Sequence, residues 1–428
     1  MSAAPTGRRL AGAAAIYTAA NVANSALPFL LLPILTRVLT PEEYGLVALF
    51  TTLTSAFTAL AGLSVHGAVN VRYFDASIDH PRYVGTALAV LGASSVLLLA
   101  GVLVAAPWLS SWMHLSTPWL ALAVCVAAAQ FISQLRLTMW QVRGDALRYG
   151  AFQVGQTALN LTLSLLMIAL GMGWQGRGAG YAVAIVAFAV IGLVTLERSS
   201  KIDWHVDRAY AKDALRFGVP LIPHVLGTLF IASSDRLIVA RLLSVHDAGI
   251  YAAGMQIGLV VTMLADAAVK ALGPWLYSNL TLADEATKRK VVRATYAFFV
   301  AIALTAIGFG LVAPRLLLLV GEEFRASESV VLYIALGGAF AGMYLMVVNY
   351  IFFARRNGFL STASLAVGIF NLMASYLLVE RHGAVGAAQA YAASQALLFV
   401  LVWWIAAKAH PMPWLSAFGT GVARPVSI

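Results

Sequence analysis

Long stretches of this chain carry no charged side chain. Val84 to Trp112 and Thr295 to Pro314 are two of them, each as long as or longer than the roughly 20 residues a helix needs to cross a bilayer. Soluble domains average about 25% charged residues, whereas this chain has 11%, with 61% hydrophobic residues and a mean hydropathy of +0.84. Too little polar surface is available to cover a water-facing body, so the predicted fold class is all-α integral membrane. Apolar segments between charged or turn-rich loops predict twelve spans. They lie near 10–39, 43–69, 83–109, 117–141, 149–171, 177–197, 215–241, 248–276, 293–314, 329–353, 359–379 and 384–407. Every loop is short, the longest being the 198–214 connection.

The net charge of +10 does not point to nucleic acid, because the basic residues are scattered between apolar segments and form no continuous face. They serve as a topology signal. Of the 28 Lys and Arg, 20 fall on the face of the N-terminus and 7 on the opposite face, with Lys270 apart. By the positive-inside rule both termini are cytoplasmic. Arg8 and Arg9 before an apolar run resemble the start of a signal peptide, but the run continues through Leu39, too long for a signal-peptide core. An uncleaved first helix is expected. The single cysteine, Cys125, rules out an intrachain disulfide and is expected to be a buried, inert thiol.

An internal repeat organises the chain. TRVLTPEEYGLVALF (36–50) aligns without a gap on ARLLSVHDAGIYAAG (240–254), and NLTLSLL (160–166) echoes NLMASYL (371–377). The similar offsets suit one duplication of a six-helix unit. An even number of helices per half gives both halves the same topology, related by a pseudo-two-fold along the membrane normal with a path between them. The expected domains are an N-terminal six-helix bundle (1–200), a cytoplasmic connection (201–214) and a C-terminal six-helix bundle (215–428). Within the repeat, Thr40-Pro41-Glu42-Glu43 has the form of a capping box with proline at the first helical position. Ser244 to Asp247 rebuilds it with a shorter acid.

The segments PFLLLPILTRVLTPEEYG (28–45), VRYF (71–74) and SSDRLIVARLLSVHDAGIYAAG (233–254) resemble the polysaccharide-transporter branch of the multidrug/oligosaccharidyl-lipid/polysaccharide exporter superfamily, including Wzx-type O-antigen flippases. The resemblance implies a V-shaped, twelve-helix transporter with a central cationic cavity lined by spans 1, 2, 7 and 8. It implies translocation of undecaprenyl-diphosphate-linked oligosaccharide from the cytoplasmic to the periplasmic leaflet of the bacterial inner membrane. Such transport serves surface polysaccharide (O-antigen, capsule or exopolysaccharide) biosynthesis, with membrane lipids and the polysaccharide polymerase machinery as partners. Lipid II flippases of the superfamily carry arginines well inside helix 1, where this chain has Asn21, Asn24 and Ser25.

A lipid-linked glycan needs cations for its diphosphate, preferably arginine forks, and amides or hydroxyls for its sugars. Charged groups inside spans cost about 2.5–3.5 kcal/mol each at a helix centre and are functional candidates by default. Arg72 is the candidate for capturing the diphosphate, and Arg236 for a later stage of its passage. Arg37 and Arg241 occupy equivalent interfacial corners. Asn21, Asn24 and Gln256, with the TTLTS face (51–55), Thr58 and Tyr251, supply glycan contacts. Asp235 and His224 are candidates for proton or sodium coupling; no other cofactor and no metal cluster is expected. Asp266 and Lys270 have the i,i+4 spacing of a local ion pair. Pro28 and Pro33 in span 1, and Pro220 and Pro223 in span 7, are expected to bend or interrupt their helices and are candidate hinges. The competing readings are a multidrug/toxin extrusion antiporter, which needs acidic or aromatic cavity groups, and a lipid II flippase. The loop RYFDASIDHPRY lacks the signature of a major-facilitator transporter. No nucleotide loop or nucleophile–base constellation supports an enzyme.

Overall fold

The computed structural model describes residues 7–75, 77–281, 284–354 and 358–418; Arg355, Arg356 and Arg424 of the topology count lie outside them. The described residues are helical, without strands, as a chain in lipid requires when each backbone N–H and C=O must be paired within its own segment. The first half comprises α1 (Gly7–Val38), α2 (Pro41–Leu60), α3 (Val65–Arg72), α4 (His80–Val104), α5 (Ala106–Met113), α6 (Thr117–Val142), α7 (Ala146–Met167) and α8 (Gly173–Ser200). Then follow α9 (Arg208–Gly218), α10 (Ile222–Leu242), α11 (Val245–Gly258), α12 (Val260–Leu280), α13 (Glu285–Leu316), α14 (Glu328–Phe353), α15 (Gly358–His382) and α16 (Ala384–Ala409). The pairs α2–α3, α4–α5, α9–α10 and α11–α12 each make one crossing. One apolar stretch, Ala146–Ser200, is 55 residues long, but the chain reverses within it at Gly171 and Gly173, with φ of 84° and 52°. α7 and α8 therefore form a hairpin, and twelve crossings result.

Each half has its own apolar core. Phe50, Tyr83, Leu120, Phe131, Leu135 and Leu196 are buried in the first, and Tyr251, Ile334, Met346, Tyr350, Tyr391 and Val402 in the second. Cys125 departs from expectation. It is exposed on α6 instead of packed inside the bundle.

The repeat is where the halves meet. Thr40 Oγ1 accepts from the Glu43 N–H at 3.2 Å, and Glu43 Oε2 accepts from the Thr40 N–H at 3.2 Å, completing the capping box at the start of α2. At the start of α11, Ser244 Oγ accepts from the Asp247 N–H at 3.0 Å. The shorter Asp247 takes the Ser244 hydroxyl, at 2.5 Å. These two caps lie against each other. A Cβ on Gly45 would sit 2.2 Å from the Val245 carbonyl oxygen, and one on Gly249 would sit 1.8 Å from that of Pro41. Only glycine admits so close an approach, and it occurs reciprocally across the two halves. Beside it Thr36 Oγ1 accepts from the Gly321 N–H at 3.2 Å, and Tyr44 meets Phe324 edge-on at 5.5 Å. The capped end of the molecule is thus closed.

Two helices break where sequence gives different warnings. α9 packs on the first half, where Phe217 lies against Gly67 and the Gly218 backbone against the Leu63 carbonyl. α10 packs on α15 and α16 of the second half. Between them is the short 3-10 turn Val219–Leu221, which carries Pro220 and is followed at once by Pro223, so span 7 is interrupted as expected. α1, by contrast, runs without interruption through Pro28 and Pro33. Each proline there removes one backbone donor, a loss that membrane helices tolerate through neighbouring helices and local adjustment. The unannounced break is in span 2. Gly62, Leu63 and Ser64 all take positive φ, 70°, 49° and 57°. The left-handed conformation costs about 1–2 kcal/mol for each non-glycine residue. The freed Gly62 N–H donates to Ser94 Oγ at 2.9 Å.

Candidate functional site

Beneath the closed end, between the halves, lies a cavity of about 170 Å³. Leu31 and Leu35 of α1 supply an apolar wall, and Tyr44 and Thr51 of α2 another side. Arg177 of α8, Arg236 of α10 and Gln256 of α11 complete the polar lining. Arg177 Nη1 donates to Asn160 Oδ1 at 2.7 Å and to Ser164 Oγ at 2.8 Å, which aims the guanidinium from α8 across α7. Among the described residues its Nε has no partner, and neither has Nε of Arg236. Among the described residues neither guanidinium forms an ion pair. Two cations in one low-dielectric cavity without a carboxylate repel each other and retain their desolvation cost. An anionic guest removes both penalties, and arginine forks match the oxygens of phosphate.

The sequence singled out Arg236 and Gln256, and the structure places both here. It did not single out Arg177, which the span estimate made the outermost residue of its helix. α8 starts a turn earlier, at Gly173, where the Trp174 N–H donates to Glu43 Oε1 at 3.2 Å. That extra turn carries Arg177 inward. The available signals were the Gly171–Gly173 turn and the polar Asn160 at the start of the NLTLSLL echo.

The other candidates lie elsewhere. Arg72 is gripped by Asp213 of α9 through Nε at 2.9 Å and Nη2 at 2.6 Å, and the Tyr83 hydroxyl donates to the same carboxylate at 2.8 Å. Arg37 is exposed in a cleft at the capped end with Glu322 and Glu323. Arg241 lies 5.4 Å from the Trp112 ring. Asn24 accepts from the Thr157 hydroxyl. Asn21 lines a gap of about 340 Å³ between α1 and α12, opposite the Asp266–Lys270 pair, whose ends are 2.5 Å apart. His224, near the start of α10, has a buried Nδ1 without a protein partner. Pro33 lies within α1, while Pro220 and Pro223 mark the junction of α9 and α10. Pro28 is part of α1, but its side chain is outside what the structure describes.

Asp235 is fully buried, at 0% exposure, inside the second half. The Tyr251 hydroxyl donates to Oδ2 at 2.6 Å and the Asn371 amide to Oδ1 at 3.3 Å. Asn371 in turn bonds the Phe230 carbonyl and Ser234, and accepts from Ser394 at 2.8 Å. One carboxylate thereby ties α10, α11, α15 and α16 through neutral groups.

Residues 10–280 match the model of a family described as polysaccharide biosynthesis protein. This chain belongs to that family. A protein of the Lsg locus of Haemophilus influenzae is 25% identical over 365 residues, covering 82% of this chain and 86% of the relative. An uncharacterised membrane protein of the same organism is 25% identical over 356 residues, covering 82% and 85%. Among solved structures, lipid II flippase MurJ in an inward closed conformation aligns with a TM-score of 0.74 at 9% identity, over 91% of this chain and 87% of that one. An inward-facing multidrug resistance MATE family transporter of the MOP superfamily aligns at 0.63 with 17% identity, over 92% and 94%. At such identities the likeness establishes the fold: a multi-pass, twelve-helix transporter architecture in two lobes. The fold is shared with a lipid II flippase and with MATE family transporters.

Proposed function

We propose that this polysaccharide biosynthesis family member is a flippase carrying undecaprenyl-diphosphate-linked oligosaccharide from the cytoplasmic to the periplasmic leaflet of a bacterial inner membrane. The product would supply O-antigen, capsule or exopolysaccharide assembly. The observation that carries this reading is the pair of unneutralised guanidiniums, Arg177 and Arg236, in a cavity between the halves. The diphosphate sits between them, and the role first given to Arg72 passes to Arg177, because Arg72 is occupied by Asp213. The lipid tail stays in the bilayer while the polar head crosses between the halves.

The basic bias sets the termini in the cytoplasm, so the closed, capped end faces the periplasm. Transport is by alternating access: the bundles of residues 1–200 and 215–428 rock about their junction, with Pro220 and Pro223 at its hinge. Asp235 is the coupling site, taking a proton or sodium ion within its neutral cage. Drug extrusion is the weaker reading, because two bare arginines repel an organic cation. Lipid II is disfavoured by the uncharged Asn21 and Asn24 in α1.

The test replaces the chromosomal gene by Arg177→Ala or Arg236→Ala. Either variant is expected in the membrane at normal level, with surface polysaccharide lost and lipid-linked oligosaccharide accumulating on the cytoplasmic side. Normal export by both variants would sink the assignment.

A further inference from the structure

One turn away from the charged cavity is a second compartment of different chemistry. It measures about 410 Å³, within the roughly 300–1,000 Å³ of small-molecule sites. Ser55, Thr58, Ser64, His66, Gln130 and Gln134 line it, and among the described residues no Asp, Glu, Lys or Arg does. Its position follows from two helices that run through both spaces. On α2 Thr51 lines the charged cavity and Ser55 the neutral one; on α8 Arg177 lines the first and Tyr181 the second. Residues i and i+4 stack one above the other on a helix, so the compartments are consecutive along the same wall.

The break in span 2 builds this compartment. Ser64 and His66 both face it, although residues i and i+2 of a continuous helix do not share a face. The left-handed turn at Gly62, Leu63 and Ser64 brings the two together, which gives the strained backbone there a purpose. Two of its lining side chains, His66 and Gln130, each hold a buried polar atom, Nδ1 and Oε1, without a protein partner among the described residues. The amides of Gln130 and Gln134, which line the space, each carry donors and an acceptor. A diphosphate offers only acceptors at neutral pH and matches only the donors of such a lining, whereas a sugar hydroxyl donates and accepts. An organic cation finds no carboxylate there.

Resting on the flippase reading above, we propose that the neutral compartment seats the sugar joined directly to the diphosphate. We further propose that the sugar it selects is uncharged, a hexose or N-acetylhexosamine. Anion and sugar adjoin in the substrate as the two compartments adjoin in the protein. A uronic acid would bring a carboxylate into a space without a cation of its own.

The test measures binding to the full-length protein in nanodiscs. The probes are farnesyl diphosphate alone and the same lipid bearing glucose, N-acetylglucosamine, N-acetylgalactosamine or glucuronic acid. One or two net hydrogen bonds correspond to about tenfold tighter binding of a neutral-sugar probe than of bare farnesyl diphosphate. Gln130→Leu with Gln134→Leu is expected to erase that increment while leaving affinity for the bare diphosphate unchanged, which also reports an intact fold. His66→Phe, which keeps a ring beside Phe131, is the independent variant and should reduce the increment. Arg177→Ala should weaken all probes alike. Bare diphosphate binding with no increment for any neutral sugar overturns this inference alone. So does an increment that survives both leucines, or one as large for glucuronic acid. Failure of the wild-type protein to bind any diphosphate probe overturns the flippase reading itself.

Discussion

Asp235 and Arg236 are neighbours in sequence and opposite in surroundings. The carboxylate turns into the second half, where Tyr251 and Asn371 donate to it. The guanidinium turns into the space between the halves, where its Nε has no protein partner. One position is completed by the protein and the other is left incomplete. A cation buried without a counter-charge retains its desolvation cost, which a guest anion in the cavity would offset. The contrast also argues that the two residues are not simply each other's counterion, since no ion pair between them exists among the described residues.

The largest effect that would break this contrast is on the cavity side. Arg236→Glu is expected to abolish export, by more than about a hundredfold, because it turns attraction for a diphosphate into repulsion. Arg236→Lys should retain partial activity, since it keeps the charge and loses the fork. Export assays with membrane-fraction immunoblots would check both. Unchanged export by Arg236→Glu would show that the missing partner is not an anion.

Asp235→Asn tests the completed side. The amide keeps the shape and most hydrogen bonds, so a purely structural Asp235 predicts a folded and nearly normal transporter. The coupling role predicts about a tenfold loss of flipping into proteoliposomes, together with loss of the response to an imposed proton or sodium gradient. Retained gradient response would remove Asp235 from the mechanism.

A gentler perturbation acts on the closed end that roofs the cavity. Gly249→Ala places a methyl where 1.8 Å separates it from the Pro41 carbonyl oxygen, and no rotamer change relieves a backbone clash. The α2–α11 contact is expected to open while each half keeps its own core. Distance measurements between spin labels at Glu42 and His246, in a Cys125→Ser background, should widen by several ångströms. An unchanged distance would mean that the closure does not depend on this approach.

Much of the architecture was legible because one physical demand, covering the backbone in lipid, governs nearly every residue of a span. The caps at Thr40 and Ser244 were legible because capping is local: three residues decide it. What escaped was set across the chain. Arg177 depends on where α8 begins, and that is decided by a glycine turn and by Glu43 far upstream. The break at Gly62–Ser64 contains no proline, and a lone glycine in an apolar run does not announce a left-handed turn. Arg72 looked like a free cation because its partner, Asp213, is 141 residues away.

Arg72 and Asp213 provide the smallest expected effect and a control for the whole comparison. Here a guanidinium and a carboxylate meet in a bidentate pair, but with side chains 39% and 32% exposed. After solvent screening, a pair of this kind contributes about 1 kcal/mol or less. Arg72→Ala should therefore lower thermal stability slightly and loosen α9 from the first half. The measurement is the melting temperature in detergent alongside export, with Asp213→Ala as its mirror. If Arg72 is a tie and not a ligand, the two variants should give the same modest loss, and the double variant should add little to either. A loss of export as complete as that of Arg236→Glu, seen for Arg72→Ala but not for Asp213→Ala, would return Arg72 to the substrate path.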